Sequence, residues 1–130
     1  VMRRAIKYVQ PPIFQIAENA PLSRENLQAI DKLVDLVRRD GSQVWLYLPP
    51  YHPYVYDHLA RRPEYSIIDS GEAAVREMAA RKGIPVLGSF NPHRYGFVNT
   101  DFYDGHHVRE SGVARIFAAD SARKYMAEIK

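Results

Sequence analysis

Residues 101–112 hold the side chains of this chain that are best suited to proton chemistry. Asp104 and His107 stand three residues apart across Gly105. In a turn, that spacing lets a carboxylate fold back beside an imidazole and hold one ring nitrogen while the other stays free. A histidine oriented in this way can act as general base for a serine hydroxyl. The same residues also suit a helix-terminal turn, in which Asp104 accepts free backbone N–H groups and the histidines face solvent.

The same stretch offers atoms that could bind a metal ion, because imidazole nitrogens and carboxylate oxygens are common ligands for zinc and related ions. The candidate ligands are His106, His107, Asp101, Asp104 and, at a greater distance in the sequence, His52 or His93. Adjacent histidines point in different directions unless the turn is special, and no His-x-x-x-His spacing supports them. The sequence therefore favours a proton-transfer pair over a metal centre, and it predicts no bound cofactor.

Composition predicts one globular domain. The chain has 130 residues, of which 46% are hydrophobic, and this suits one compact domain with a moderate core. Lysine and arginine number 18 against 15 acids, and they occur in scattered pairs rather than in a run, so we expect no nucleic-acid partner. The absence of cysteine excludes disulfides and thiolate chemistry. No apolar run approaches the roughly twenty residues that a membrane helix needs.

Hydrophobic periodicity predicts an alternation of helices and strands. A helix begins after Ser23, its N-cap, and ends at Gly41. Residues 44–48 are continuously apolar, which is typical of a central parallel strand covered on both faces. Residues 5–16 alternate weakly and contain Pro11-Pro12, so they favour a short edge strand or an extended arm.

The second half of the chain repeats this order. A short helix follows the aromatic loop at residues 51–58, and a long helix covers residues 65–82. Residues 84–87 form a second strand, a long loop covers residues 88–100, and the last helix starts between Val108 and Gly112. Helix, strand, helix, strand is typical of an α/β layer architecture. We expect the tyrosines of the aromatic loop to pack over the sheet edge rather than to stack on sugars or bases.

The last block, residues 101–108 followed by Ser111-Gly112 and an alanine-rich helix, resembles the carboxyl-terminal half of the SGNH (GDSL) hydrolase superfamily. In particular it resembles the branch with cell-surface polysaccharide O-acyltransferases and lipoteichoic-acid D-alanylation proteins. The similarity lies in an Asp-x-x-His with an apolar residue after the histidine, and it extends more loosely through residues 46–53 and 82–86. It implies a partial three-layer αβα sheet, with few parallel strands flanked by helices.

The resemblance also implies a function. Asp104 would be the orienting acid and His107 the base of an esterase or O-acyltransferase that acts on an acylated small molecule or a polysaccharide. Loops at the carboxyl ends of parallel strands hold the ligands of open α/β sheets, so we expect the crevice to be lined there. The candidate substrate-binding residues are His52, Ser89, Asn91 and His106. The full-length protein would be extracytoplasmic or membrane-associated, with any membrane attachment in a segment that is not in this chain.

The family's nucleophile is a serine in a Gly-Asp-Ser block after the first strand, and this chain contains no such block. Ser70 follows Asp69 inside a predicted helix, and Ser42 precedes a strand, so neither is a suitable substitute. The oxyanion donors of the family belong to upstream blocks too, and no Gly-x-Asn-Asp occurs here. We therefore expect residues 1–130 to be a single SGNH-like domain that lacks the amino-terminal half with the serine and is inactive alone.

A different class of function fits the same observations. A shortened domain could keep the scaffold and serve as a non-catalytic binding or dimerisation module. The loss of the first strands of such a sheet uncovers apolar surface and a strand edge, and a homodimer is the simplest way to cover both.

Overall fold

The structure, a computed structural model, describes residues 1–11, 13 and 16–128, with the side chains of the last helix described as far as Ser121. Seven regular elements follow one another in these residues. They are α1 (Met2–Tyr8), α2 (Arg24–Arg39), β1 (Leu46–Leu48), α3 (Pro53–Ala60), α4 (Ile67–Lys82), β2 (Val86–Gly88) and α5 (Glu110–Glu128). Short 3-10 turns lie at Pro63–Tyr65, Pro92–Tyr95 and Asn99–Asp101.

The two strands form a small parallel sheet flanked by helices, which confirms the predicted α/β class. Leu46 lies opposite Val86 and Leu48 opposite Gly88, and the connection between the two strands contains α3 and α4. Parallel neighbours need such a crossover. Because the strands are parallel, their carboxyl ends lie at the same edge of the sheet, next to the loops that carry the candidate site.

Three apolar clusters hold the helices in place. The first cluster lies under α2 and α4 and contains Val34, Ala79 and Ile84. The second lies under α5 and contains Leu87, Tyr95, Phe97, Phe102 and Ile116. The third joins α1, α3 and the start of α4 and contains Ala5, Val9, Val55, Leu59, Tyr65 and Ile68. The second and third clusters both reach the candidate site, because Phe102 belongs to the second cluster and Tyr8 packs on the third.

Helix boundaries follow the predicted stop and start signals closely. The Ser23 hydroxyl accepts a hydrogen bond from the Asn26 N–H at 3.1 Å, which caps α2 as predicted. Gly83 ends α4 with a φ of 65°, in the left-handed region that favours glycine. Basic pairs occupy the last turns of α2 and α4, where they complement the negative end of the helix dipole.

The predicted strand or arm over residues 5–16 is wrong in its first part. Residues Met2–Tyr8 form α1, because Ala5 and Val9 are four residues apart and both pack into the cluster that contains α3. A helix buries this spacing on one face, whereas a strand would have placed its alternating polar residues inside. Pro12, Phe14 and Gln15 lie outside the described residues.

The first strand is shorter and more exposed than predicted. It covers Leu46–Leu48 rather than residues 44–48, and Trp45 and Tyr47 are 42% and 40% exposed. Within the described part of the chain, β1 pairs only with β2. It is therefore an edge strand, not a central strand covered on both faces.

The later elements agree with the prediction more closely. The second strand is Val86–Gly88, shifted from the predicted residues 84–87, and two 3-10 turns give structure to the long loop after it. The last helix begins at Glu110, inside the predicted window. The helical spacing of apolar residues predicts core positions at Ile116 and Phe117; Ile116 is fully buried, whereas Phe117 is 45% exposed. The core positions that the same spacing predicts at Ala122, Tyr125, Met126 and Ile129 lie outside the residues whose side chains the structure describes.

Candidate active site

Asp104 and His107 lie in a closed loop of residues 102–108, here called the dyad loop, between β2 and α5. An antiparallel bridge between Phe102 and Val108 closes its base. The loop lies beside the carboxyl end of β1, because the His52 N–H, just after that strand, donates to the Gly105 carbonyl at 2.9 Å. The structure thus places the predicted acid and base at the edge of the sheet where α/β folds bind ligands.

Asp104 is the centre of the loop's hydrogen bonds. Its Oδ1 accepts the backbone N–H groups of His106 at 3.0 Å and His107 at 2.9 Å. Its Oδ2 lies 2.7 Å from His107 Nδ1. The Tyr8 hydroxyl, from α1, also donates to this carboxylate. An aspartate that accepts from residues two and three positions ahead forms a local turn, so one side chain shapes the loop and orients the histidine.

These contacts keep Asp104 ionised. Partial burial by itself raises the pKa of a carboxyl group, but the hydrogen bonds from the backbone of His106 and from the ring and backbone of His107 outweigh it and lower the pKa of Asp104 to about 2. The carboxylate is therefore negative at every physiological pH. A negative Asp104 requires a proton on the nitrogen that faces it, so Nδ1 of His107 donates in this pair.

His107 presents its second nitrogen to solvent. Its side chain is 61% exposed, and Nε2 has no hydrogen-bond partner among the residues that the structure describes. With Nδ1 holding the proton, Nε2 carries the lone pair. This is the tautomer that a general base needs.

Tyr8 and Gly105 fix the loop against α1. A Cβ on Gly105 would lie 2.4 Å from two ring atoms of Tyr8, so only glycine permits this close approach. Burial and the neighbouring Asp104 raise the pKa of the Tyr8 hydroxyl, which keeps it a neutral donor. The sequence did not indicate Tyr8, because residues 5–16 were predicted as a short edge strand or an extended arm. The four-residue spacing of Ala5 and Val9 is the signal that could have found it.

His106, predicted to bind substrate, stacks beside the dyad. Its ring centroid is 3.9 Å from that of His107 and 5.0 Å from that of Tyr8. Burial and then the charge of a protonated His107 lower the pKa of His106, although Asp104 opposes this. At neutral pH His106 is therefore an uncharged, partly exposed side wall of the site, and its role in substrate binding stays a prediction.

His52 is fully buried behind the loop. Its Nδ1 accepts the Tyr54 N–H at 3.1 Å and so caps α3, and its ring packs edge-on against Phe102 at 5.2 Å. Burial lowers the pKa of His52. Nε2 has no hydrogen-bond partner in the described residues. The structure shows His52 as a support for the loop, and its predicted contact with substrate stays a prediction.

Ser89 and Asn91 line a different cleft, of about 430 Å³, between α3, α4 and the turn after β2. The Ser89 hydroxyl is buried and donates to Glu72 at 2.8 Å, and the Asn91 side-chain Oδ1 accepts the His93 N–H and so caps the next 3-10 turn. Substrate binding by these two side chains is untested. Ser89 is not poised as a nucleophile, because Glu72 holds its proton and no contact joins it to His107.

Other candidate ligands for a metal ion separate into different places. Asp101 is bound by Arg115 at 3.0 Å and by the Val98 N–H at 2.9 Å. His93 lies 2.7 Å from Asp57, a pair between α3 and the turn at Pro92–Tyr95 that no sequence spacing indicated.

Three of the predicted metal ligands do come together. One ligand atom from each of Asp104, His106 and His107 lies within 4.8 Å of the others. A carboxylate has about four lone-pair sites, and two backbone N–H groups, the His107 ring and the Tyr8 hydroxyl already use those of Asp104. A metal ion would have to displace one of these donors, so the arrangement fits an Asp–His pair better than a metal centre.

The predicted aromatic loop at residues 51–58 is wrong for most of its length, because the His52 cap and Pro53 start α3 within it. Most of its tyrosines pack on the protein, against helices. Tyr51 and Tyr56 lie against the cluster that contains α3. Burial and a hydrogen bond to Asp69 raise the pKa of Tyr56 to about 12. Tyr54 is the exception and is 37% exposed.

Comparison with known proteins gives no family assignment: no family model, curated protein or solved structure matches the chain. By its own geometry the site is an Asp–His pair at the carboxyl edge of a small parallel sheet. Among the described residues, no helix combines the length and apolar character that crossing a membrane requires.

Proposed function

We propose that this chain is an SGNH-like αβα domain that contributes the acid and the base of an esterase or O-acyltransferase. In this proposal His107 Nε2 accepts the proton of a serine hydroxyl as the oxygen attacks an acyl carbonyl, and the imidazolium then gives that proton to the leaving group. Asp104 orients the ring and stabilises its positive charge. The acyl group would come from a small molecule or a surface polysaccharide.

One observation carries the proposal: Asp104 Oδ2 lies 2.7 Å from His107 Nδ1, while 61% of the His107 side chain is exposed to solvent. A helix-terminal turn explains the two backbone hydrogen bonds of Asp104, but it does not require the ring contact. The local sequence, Asp-x-x-His before the last helix, supports the same interpretation.

The nucleophile belongs elsewhere in this proposal. No serine or threonine hydroxyl in the described residues bonds to His107, and the sequence has no Gly-Asp-Ser block. The serine and the oxyanion donors would come from polypeptide outside these 130 residues, and we expect a Gly-Asp-Ser block in the coding sequence upstream of Val1. If no such block exists, the non-catalytic module becomes the better explanation.

The accessible base can be tested on the chain itself with p-nitrophenyl acetate. A neutral imidazole attacks this activated ester through its free nitrogen, releases p-nitrophenolate and then loses the acetyl group to water. We expect slow hydrolysis at pH 8 that His107→Ala abolishes. The matched control is His93→Ala, because His93 also contacts an aspartate at 2.7 Å and is similarly exposed.

Equal rates for the wild-type chain and His107→Ala would contradict an accessible, oriented base. An equal loss in His93→Ala would show that any exposed imidazole accounts for the rate. Full activity on unactivated esters would contradict the absence of a nucleophile.

A further inference from the structure

The base of the dyad loop is a short antiparallel ladder with one face toward the core and one toward solvent. Phe102 and Val108 pair in its bridge, and both pack in the second apolar cluster. The Tyr103 N–H donates to the His107 carbonyl at 2.8 Å, so these two residues form the next pair. Because successive side chains of a strand point to opposite faces, Tyr103 and His107 lie on the solvent face. Their exposure agrees, at 49% for Tyr103 and 61% for the His107 side chain.

Arg109 belongs to the same face of the ladder. Its N–H donates to the Asp101 carbonyl at 2.8 Å, on the opposite segment. Its guanidinium carbon lies 4.4 Å from the centroid of the Tyr103 ring, which is the diagonal contact that long side chains make on one face of an antiparallel ladder. The electron-rich ring attracts the cation. Tyr103 thus adjoins His107 across the ladder and Arg109 on the diagonal.

The guanidinium group of Arg109 is held in place but not neutralised. Its Nε–H donates to the Thr100 carbonyl at 3.0 Å, the Tyr103 ring lies against it, and the residue is partly buried. In the part of the chain that the structure describes, Arg109 forms no ion pair, and its two Nη groups have no partner. By contrast, three other arginines each bind a glutamate, namely Arg62, Arg76 and Arg81.

The aspartates near Arg109 are already engaged. Asp101 binds both Nη groups of Arg115, at 3.0 and 3.3 Å. Asp104 binds the backbone and the histidine ring of the dyad loop. The exposed Glu110, next in the sequence, forms no ion pair with Arg109 among the described residues. Arg109 is therefore a positive charge with a fixed direction and no counter-charge in the described chain.

This arrangement suits an oxyanion. The two Nη groups of a guanidinium can donate side by side to two oxygens of a carboxylate or a phosphate group. Because Nε and the Tyr103 ring already hold the side chain, binding costs less conformational entropy than it would at a mobile arginine. The exposed part of the Tyr103 ring offers an apolar surface to the rest of the ligand.

We propose that Arg109 and Tyr103 form a binding site for a ligand with a carboxylate or phosphate group, which lies beside His107. The Nη groups of Arg109 bind two oxygens of that group, and Tyr103 contacts the flat or apolar part of the ligand. The site is on the solvent face of the dyad loop, whereas Ser89 and Asn91 line a separate cleft. This inference does not depend on the proposed acyl chemistry.

Three ring compounds of similar size test the site: benzoate, phenyl phosphate and benzamide, of which only the first two carry an oxyanion. NMR titration of the labelled chain at pH 7.5 and low salt follows the amides of Tyr103 and Arg109 and the ring of His107. We expect benzoate and phenyl phosphate to shift all three sets of signals, with dissociation constants of roughly 1 mM or above, and benzamide to shift none. The tighter of the two anions identifies the preferred group.

Substitutions assign the binding to Arg109. Arg109→Gln should raise the dissociation constant of benzoate about tenfold, because it removes the charged donors. Arg109→Lys keeps the charge but not the paired donors, so we expect a rise of about threefold. Arg94→Gln is the matched control, since Arg94 is exposed and forms no ion pair among the described residues; it should leave the constant unchanged. Circular dichroism should show that the variants stay folded.

Four results would each overturn the proposal. Equal shifts with benzamide would show that the oxyanion is not recognised. Equal effects of Arg94→Gln and Arg109→Gln, or an Arg109→Lys variant that binds as tightly as the wild type, would exclude a built site at Arg109. Binding that leaves the His107 signals unchanged would place the ligand elsewhere. Binding that is lost in His107→Ala but kept in Arg109→Gln would assign the anion to the histidine ring.

Discussion

Two Asp–His pairs in this molecule have the same distance between carboxylate oxygen and ring nitrogen but different surroundings. Asp104 Oδ2 lies 2.7 Å from His107 Nδ1, and Asp57 Oδ1 lies 2.7 Å from His93 Nε2. The Asp104 side chain is 19% exposed, whereas that of Asp57 is 41% exposed. Distance alone does not distinguish the two pairs, so their difference lies in what holds each acid.

Asp104 is held from several directions. Two backbone N–H groups and the Tyr8 hydroxyl bind the carboxylate in addition to the ring of His107. Asp57 bonds only His93 among the described residues, and this bond joins two separate elements. The pairs also differ in the ring nitrogen used, because Asp104 binds Nδ1 and leaves Nε2 outward. A fixed acid fixes the tautomer and direction of its histidine, whereas an exposed pair between mobile side chains contributes little.

The strongest test of this difference replaces each acid. Asp104→Asn should lower the free energy of unfolding by about 1.5–3 kcal/mol. The substitution replaces a charged hydrogen-bond acceptor with a neutral one, and it places an amide N–H donor opposite the Nδ1–H donor of His107. Asp57→Asn should cost about 0–1 kcal/mol, as expected for an exposed ion pair. Urea denaturation at pH 7 measures both. Equal costs would show that the two acids are held alike.

Lowering the pH should remove the contribution of Asp104 to the stability of the fold. Its pKa is lowered from 3.8 to about 2 in the folded chain, so its contribution to stability is fully present above about pH 5 and is lost as the pH falls through 4 toward 2. The shift corresponds to roughly 2 kcal/mol, an upper value because residual solvent exposure screens the carboxylate. The difference in unfolding free energy between wild type and Asp104→Asn should narrow over this range. A constant difference would contradict the lowered pKa.

Gly105→Ala should disturb the contact between the dyad loop and α1. The new methyl group would lie 2.4 Å from the Tyr8 ring, so we expect a loss of about 1–3 kcal/mol in the free energy of unfolding. Gly71→Ala is the matched control, because nothing lies within 4 Å of the corresponding Cβ in α4; it should stabilise the chain by about 0.5–1 kcal/mol. Thermal unfolding of both variants measures this, and a neutral Gly105→Ala would show that the loop is free to move.

Tyr8→Phe should have the smallest effect. It removes one donor to Asp104 without changing the packing, so we expect a loss of about 0.5–1.5 kcal/mol and a rise in the pKa of Asp104. Carboxyl titration by NMR would detect the rise. Tyr54→Phe, in an exposed residue of α3, should leave the pKa of Asp104 unchanged. The same rise in both variants would indicate a non-specific effect.

The fold could be predicted wherever local signals and packing agree. Ser23 and Gly83 mark helix ends that depend only on backbone capping, and both are in place. The prediction failed at α1, because a seven-residue helix depends on its contact with α3 rather than on its own propensity. It also overestimated the burial of β1, because an apolar run shows that a strand can be covered but not that a neighbour is present.

The site could be predicted in its short-range part only. The contact between Asp104 and His107 follows from a three-residue spacing and a glycine. The contribution of Tyr8 and the support from His52 join residues that are far apart in the sequence, and a single sequence gives no measure of such proximity. The Asp57–His93 pair escaped prediction for the same reason.

Long-range ¹H–¹⁵N NMR of the histidine rings at pH 8 tests the central claim most directly. If Asp104 holds His107 as an outward-facing base, His107 is a single tautomer with the proton on Nδ1 and an unprotonated Nε2, and Asp104→Asn abolishes that preference. The exposed His58 stacks on Tyr54 and bonds no acid in the part of the chain that the structure describes, so it gives the reference for a ring without such an anchor. A His107 signal averaged between tautomers like that of His58, or protonated at Nε2, would contradict the account.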